Sequence, residues 1–404
     1  MTSPRVPHIL IVGGGFGGVY AAKTLIHELK TGEARVTLMS EHNYFLFAPL
    51  LHEVATGGLS LSSVAEPLLE VFRETCVSVV TDTLISLDAA KKTVMTGHGA
   101  MSFDYLILAT GARSNIDIPI NADLVFPLKT LEDALAIRKG IITLFQTAAS
   151  QTMQTTLSFA VIGAGHTGTE AVMELSDFVN GTLGPYYVRT GTQIPDIQIS
   201  LIGDSETPVP YSDSRVQKAA THALKRAGIH FYQNAKAASI SKADVLLANG
   251  IRVPANLVLW TAGTVPTLMS EWKLPLTKDG RIDTDEFLRV RAFSDIFAIG
   301  DVAGKDARLA QVAEAQGIHS AKNIVKILRN ITPTPFLYRT RGFLMSLGRG
   351  NATGNIFGIP IAGPWGWWIW RTVYLFKFLS WRKRFRIALE WTIRLFMPRD
   401  ITIL

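Results

Sequence analysis

The segment HILIVGGGFGGVYAAKTL, residues 8–25, decides the fold. An apolar run of strand length leads into Gly13, Gly15 and Gly18 at G-x-G-x-x-G spacing. A helical stretch, VYAAKTLIHEL, and a second strand, RVTLMSE, follow, ending at Glu41. Each residue type has a task in such a strand–helix–strand unit. Gly13 permits a tight turn, Gly15 lets a pyrophosphate approach the backbone, and Gly18 brings the helix close to the strand. Glu41 can accept hydrogen bonds from ribose hydroxyls.

The pattern recurs in LSFAVIGAGHTGTEAVMEL, residues 157–175, with Gly163, Gly165 and Gly168, and the strand IQISLIGD follows at 197–204. Two such units imply two dinucleotides, or one and a degenerate copy. Two further strands run into small residues and glycine, DYLILATGA at 104–112 and NLVLWTAGT at 256–264. FSDIFAIGDVAG, residues 293–304, places Asp301 directly after a strand and a glycine, where a carboxylate can meet a polyol chain. The expected class is α/β, with two nested Rossmann-like dinucleotide-binding domains.

The 404 residues are ample for two cores, and 48% are hydrophobic. Charge is uneven. From Phe336 to Leu404, 11 Lys and Arg stand against 2 Asp and Glu; the preceding residues carry 29 against 31, so the net charge of +7 belongs to the tail. Six of the eight tryptophans fall within GPWGWWIWRTVYLFKFLSWRKRFRIALEW, residues 363–391. At 3.6 residues per turn, Trp381, Phe385, Ala388, Leu389, Thr392, Leu395 and Phe396 share one side of a helix. Arg382, Lys383, Arg386, Glu390 and Arg394 share the other. This pattern suits a helix lying in an anionic membrane surface, with aromatics at headgroup depth. A spanning helix is disfavoured by the glycines, Pro360 and Pro364 of the uncharged stretch 350–370. A terminal helix packed on the body is the structural alternative. Nucleic acid is not an expected partner, because the aromatics lie on the apolar face and no recognition module is visible. The single cysteine, Cys76, excludes an intrachain disulfide and a multi-cysteine metal site, and no metal is expected. No secretory signal precedes the first strand.

The first fingerprint, the ATG at 109–111 and IFAIGD at 296–301 together resemble the pyridine nucleotide-disulfide reductase superfamily. Within it, NYFLFAPLLHEVATGGLS (43–60), PLKTLEDALAIRKGI (127–141), LWTAGT (259–264) and AQVAEAQG (310–317) resemble type II NADH dehydrogenase, the single-subunit NADH:quinone oxidoreductase. The resemblance implies FAD on the first fold, with Glu41 at the adenosine ribose and Asp301 at the ribityl chain, and the nicotinamide nucleotide on the second. The residues it implies at the two dinucleotides are Gly13, Gly15, Phe16, Gly17, Gly18, Glu41, Ala109, Thr110, Gly111, Gly163, Gly165, Thr167, Gly168, Gly263, Gly300, Asp301, Ala310, Gln311 and Val312. It implies an FAD domain over 1–115 and 266–335, an inserted NAD(P)H domain over 116–265, and a C-terminal amphipathic helical membrane-association region over 336–404.

On this resemblance, Glu170 stands near the nicotinamide or on the proton path to the quinone, and Gln311 borders the flavin and the quinone pocket. A solvated charge at a helix N-terminus and an ordinary surface glutamine are the plain alternatives. Two positions depart from the family pattern. Ala315 replaces a quinone-side glutamine, with Gln316 following. Gly203 ends the strand where NADH-selective members carry an acid, with Asp204 next, which removes one barrier to NADPH; no Arg or Lys follows in GDSETPVP to attract its phosphate, so NADH is the expected donor and NADPH a second one. Sulfide:quinone and disulfide reductases need cysteine pairs that Cys76 alone cannot supply. A flavin reductase of a soluble carrier such as ferredoxin, or an inactive membrane-bound flavoprotein scaffold, are the competing readings. The expected activity is non-pumping NADH oxidation coupled to quinone reduction in a respiratory chain, on the cytoplasmic side of the cell membrane, with a homodimer as an open option.

Overall fold

The computed structural model describes residues 5–150, 156–190, 196–268, 270–305, 308–340 and 342–402. In chain order the elements that matter here begin with β1 (His8–Val12), α1 (Phe16–Glu28), β2 (Arg35–Ser40) and α2 (Leu51–Ala55). β3 (Val77–Thr81), β4 (Tyr105–Leu108), β5 (Val125–Pro127), α3 (Leu131–Ala149), β6 (Thr156–Ile162) and α4 (His166–Phe178) follow. Then come β7 (Asp196–Ile202), β8 (His230–Tyr232), β9 (Leu257–Trp260), β10 (Ile296–Ala298) and α5 (Ala310–Leu328). The chain closes with β11 (Gly342–Ser346), β12 (Ala352–Ile356), β13 (Ile359–Ala362), α6 (Gly363–Lys377) and α7 (Trp381–Phe396).

The contacts divide the chain into two units. One comprises Met1–Leu46, Ala65–Arg113 and Thr264–Arg339; the other comprises Phe47–Val64, Ser114–Gly263 and Thr340–Leu404. The first is built on a five-stranded sheet in the order β10-β4-β1-β2-β3, every pairing parallel. All five residues of β1 are buried, because helices and loops cover both faces of a parallel sheet and leave no polar alternation to read. Leu10, Leu106, Ile296 and Met39 join Phe103, Ile282 and Trp272 in one core. α1 and α5 cross closely: a Cβ at Gly317 would lie 2.2 Å from the carbonyl oxygen of Gly17, so only glycine allows the approach.

The second unit repeats the plan in the order β5-β9-β6-β7-β8, again all parallel. Its helix α3 starts with a capping box in which Thr130 and Asp133 each accept from the other's backbone N–H. α2 packs against α3 and α4.

The region expected as an amphipathic helical one, 336–404, also contains an antiparallel sheet, β11-β12-β13, ahead of its helices. The uncharged stretch 350–370 therefore holds β12 and β13 before α6 begins at Gly363 with Pro364 in its first turn, where a missing N–H costs nothing. Residues 340–404 group with the second unit rather than standing apart. Among the described residues no helix is long and apolar enough to cross a membrane.

Candidate functional site

In the first unit three glycine-bearing turns leave the carboxyl ends of neighbouring strands. Val12 pairs with Leu108, and Leu108 with Ala298, so Gly13, Ala109 and Ile299 emerge at one level. The backbone N–H of Ala109 donates to Val12 O at 2.8 Å, and that of Ile299 to Leu108 O at 3.0 Å, which fixes the level. Gly13 has φ +119°, and a Cβ there would lie 2.2 Å from Ala109 O; at Gly18 it would lie 1.9 Å from Gly13 O. These glycines close the walls. Gly15, by contrast, caps the N-terminus of α1 with open space beyond it, nothing lying within 4 Å of an added Cβ. Gly111 is open in the same way at φ +71°. Closed walls around an open helix N-terminus fit a dinucleotide pyrophosphate.

Around this cradle, Gly17 packs on Ile299, and the rings of Phe16 and Phe45 meet at 5.0 Å. Thr110 donates to Thr267 O at 2.7 Å. Glu41 is exposed just beyond β2, and Asp301 is half-buried in the turn Gly300–Val302 after β10. Ala310, Gln311 and Val312 open α5, with Gln311 half-buried and Val312 in the core.

The second unit has the same construction. Ile162 pairs with both Ile202 and Trp260. Gly163, at φ +107°, is held by Thr261, whose hydroxyl donates to Ile162 O at 2.8 Å and to Gly163 O at 3.0 Å. A Cβ at Gly168 would lie 1.8 Å from Gly163 O, while Gly165 caps α4 with open space in front. Thr167 is exposed in the first turn of α4, and Gly263, at φ +68°, follows β9.

Glu170 does not behave as a solvated charge. It is buried, Oε1 accepts the Ser346 N–H at 2.9 Å, and its carboxyl is pushed up to about 8 by burial, with the charges of Glu174 and Glu53 adding to the effect. Glu170, Glu174 and Asp177 recur on one face of α4, at helical spacing. Burial pushes Asp177 up to about 6, with the Glu174 charge second. Burial also raises Glu53, to about 7, although Oε2 accepts the Trp391 indole N–H at 2.8 Å. Glu174 ends below the ordinary range: burial would raise it, but the charge of Arg399, paired at 2.7 Å, outweighs that. α4 runs on into a π-turn, Val179–Leu183, beside a cavity of about 350 Å³.

Residues 7–317 match the family model described as pyridine nucleotide-disulphide oxidoreductase, and residues 341–400 match one described as the NDH2 C-terminal domain. A protein named type II NADH:quinone oxidoreductase from Staphylococcus saprophyticus is 30% identical over 370 residues, 88% of this chain and 91% of that one. The chain belongs to the type II NADH:quinone oxidoreductase family. A relative from Synechocystis named demethylphylloquinone reductase NdbB is 29% identical over 413 residues, covering 98% of this chain and 97% of that one. The solved structure of NDH2 from Plasmodium falciparum in complex with NADH superposes with a TM-score of 0.87 over 98% of this chain and all of that one; at 20% identity it speaks for the fold.

Two residues of the sequence reading, Gln316 next to Ala315 and Gly203, gain physical explanations. Gln316 is fully buried; its Oε1 accepts the Gly300 N–H at 2.7 Å and its Nε2 donates to Lys305 O at 3.4 Å, so it fastens the Asp301 turn. Gly203 is a packing glycine, since a Cβ there would lie 2.5 Å from the Ala164 Cβ, and the acid of this strand end is the exposed Asp204. Sequence reasoning missed Glu53, Glu174 and Arg399. The signals were an acid inside the apolar run LLHEVA and a second acid four residues after Glu170.

Proposed function

We propose that this protein is a peripheral membrane flavoenzyme that oxidises NADH and reduces a membrane quinone, without pumping protons, on the cytoplasmic face of a respiratory membrane. The observation that carries this reading is the presence, in one chain of this family, of two glycine cradles, each closed at its walls and open at a helix N-terminus. FAD is held by residues of 1–115 and 266–335, with Gly15 admitting the pyrophosphate, Glu41 at the ribose and Asp301 at the ribityl chain. The nicotinamide nucleotide is held by residues of 116–265, with Gly165 in the corresponding place. Bound FAD would supply the two-electron redox chemistry between nicotinamide and quinone. Glu170 keeps a proton on the carboxyl oxygen not engaged by Ser346 and offers it to the quinone. Gln311 borders the quinone pocket.

Membrane contact rests on an inverted helix. In α7 the side that packs inward carries Ile387 and Trp391 together with polar groups: Glu390 accepts from Ser60 and Ser63 at 2.8 and 2.7 Å, and Lys383 donates to Ser62 O. The apolar side is left in solvent, Trp381 at 71% and Phe396 at 85% exposure, with Phe385 and Leu389 between them. α6 does the same with Trp365, 81% exposed, Trp368 and Phe376, while Trp367 and Trp370 are buried. Exposed apolar faces on consecutive helices of a basic segment suit an anionic bilayer. The basic groups expected to reach lipid are largely engaged with the protein instead, Arg386 with Glu390 at 3.2 Å and Arg394 with Pro398 O at 2.6 Å, which leaves Arg382 outward.

The test is direct. Purified protein should carry yellow FAD that NADH bleaches within the dead time of manual mixing, and a quinone should restore the colour and sustain turnover. Absence of quinone-dependent turnover with both NADH and NADPH would defeat the assignment.

A further inference from the structure

Two-electron reduction of a quinone by NADH consumes one proton from the medium, NADH + H⁺ + quinone giving NAD⁺ + quinol. Glu170, the proposed donor, is buried, so each proton it gives up must be replaced through the protein. The cavity of about 350 Å³ in the second unit is lined by Glu53, Glu174, Asp177, Arg349, Arg371 and Trp391 among others. Glu53 lines the cavity from α2, which packs against the helix α4 that carries Glu170, and its charge bears on Glu170. Beside it on α2, His52 is buried with no partner for Nε2 among the described residues, and Arg371, which lines the cavity, has none for Nε. A cavity of this size and polarity has room for water to satisfy a buried polar atom such as Arg371 Nε at its edge.

We infer that this cavity is the proton inlet of the enzyme and that Glu53 is its relay residue, passing a proton from cavity water to Glu170 after each quinol is formed. The inference rests on the NADH:quinone reading and on Glu170 as donor. In the step, an O–H bond of Glu53 breaks as one forms on the Glu170 carboxylate, directly or through one water, and the cavity then returns a proton to Glu53; no electrons move. The groups that face Glu53 suit the task. Glu174 from α4 favours its protonated form, Arg371 from α6 and Arg399 from the segment after α7 favour its ionised form, the Trp391 N–H from α7 stabilises the carboxylate, and His52 stays neutral on the same helix. Burial raises the carboxyl most, and with these opposed influences it stands poised near neutral pH, where it can both gain and lose a proton. Glu174, locked to Arg399, supplies fixed charge and does not carry the proton.

The experiment compares wild type, Glu53→Gln, which keeps an acceptor for Trp391, and Glu53→Asp, as holoenzymes. Flavin reduction by NADH, followed by stopped flow, should stay within about twofold in all three. Quinone turnover should fall on the order of tenfold to a hundredfold in Glu53→Gln, with an enlarged solvent deuterium effect, should be largely retained in Glu53→Asp, and should recover with added formate, a weak acid small enough for the cavity. Infrared spectra of the resting holoenzyme should lose one carboxylic-acid band that titrates near neutral pH in wild type. Wild-type turnover in Glu53→Gln, equal slowing of flavin reduction, failure of both aspartate and formate to restore the rate, or no change in the infrared titration would each overturn the relay. A wild-type enzyme inactive toward every quinone would instead overturn the functional reading beneath it.

Discussion

Replacing Glu170 with glutamine should stabilise the protein, and increasingly so as pH rises. Gln keeps the oxygen that accepts the Ser346 N–H and puts an N–H₂ where the protonated carboxyl has its O–H, so it copies the neutral acid. The wild-type carboxyl stands at about 8 in the fold against 4.5 in an unfolded chain, chiefly through burial. At roughly 1.4 kcal/mol per pH unit, the fold disfavours the ionised form by about 4 to 5 kcal/mol. Because the folded value is the higher one, the folded state holds a proton that the unfolded state has released. The stabilising difference is present in full below about 4.5, declines as pH rises, and levels off above about 8. Between pH 5 and 8 wild type should lose about 3 kcal/mol relative to Glu170→Gln. Urea unfolding of both proteins across that range, followed by tryptophan fluorescence, measures the difference. The same variant should reduce its flavin with NADH normally yet turn over quinone far more slowly. A stability difference that stays flat from pH 5 to 8 would show that Glu170 is ionised or solvated in the fold, and the proton-donor role would go with it.

The outward aromatic faces give a second expectation. Replacing Trp365, Trp368, Phe376, Trp381, Phe385 and Phe396 with serine should release the protein from anionic liposomes in a flotation assay while leaving FAD bound, at about 1 to 3 kcal/mol of binding for each side chain inserted. Wild-type binding should weaken with salt but persist, since the apolar contribution is not screened. At the nucleotide site, Gly203→Ala should lower stability by about 1 to 3 kcal/mol in thermal unfolding, because its Cβ meets Ala164. Asp204→Ser should raise kcat/KM for NADPH relative to NADH by about fivefold to tenfold, the size of one relieved like-charge contact in well-solvated surroundings; an unchanged ratio would remove Asp204 from the ribose.

Both sheets were legible in the chain itself. The strand, glycine turn and helix at 8–25 and at 157–175 are local constraints: a positive φ, a missing Cβ and an apolar run act within a few residues, so sequence displays them directly. The charge and tryptophan content of the tail was equally plain. What the sequence could not settle was which way those residues face. A helical projection separated the aromatic and basic sides of residues 381–396, but only packing decided that the basic side would bind the loop at Ser60–Ser63 and leave the aromatic side in solvent. The same holds for the carboxylates. Glu53, Glu170, Arg399 and Trp391 are separated along the chain by up to hundreds of positions, and burial and partner charge, which set their proton affinity, exist only once α2, α4, α7 and the segment after α7 are folded together. Glu170 reads in sequence as an ordinary acid near the start of a helix; tertiary structure, by removing its water, makes it a proton store.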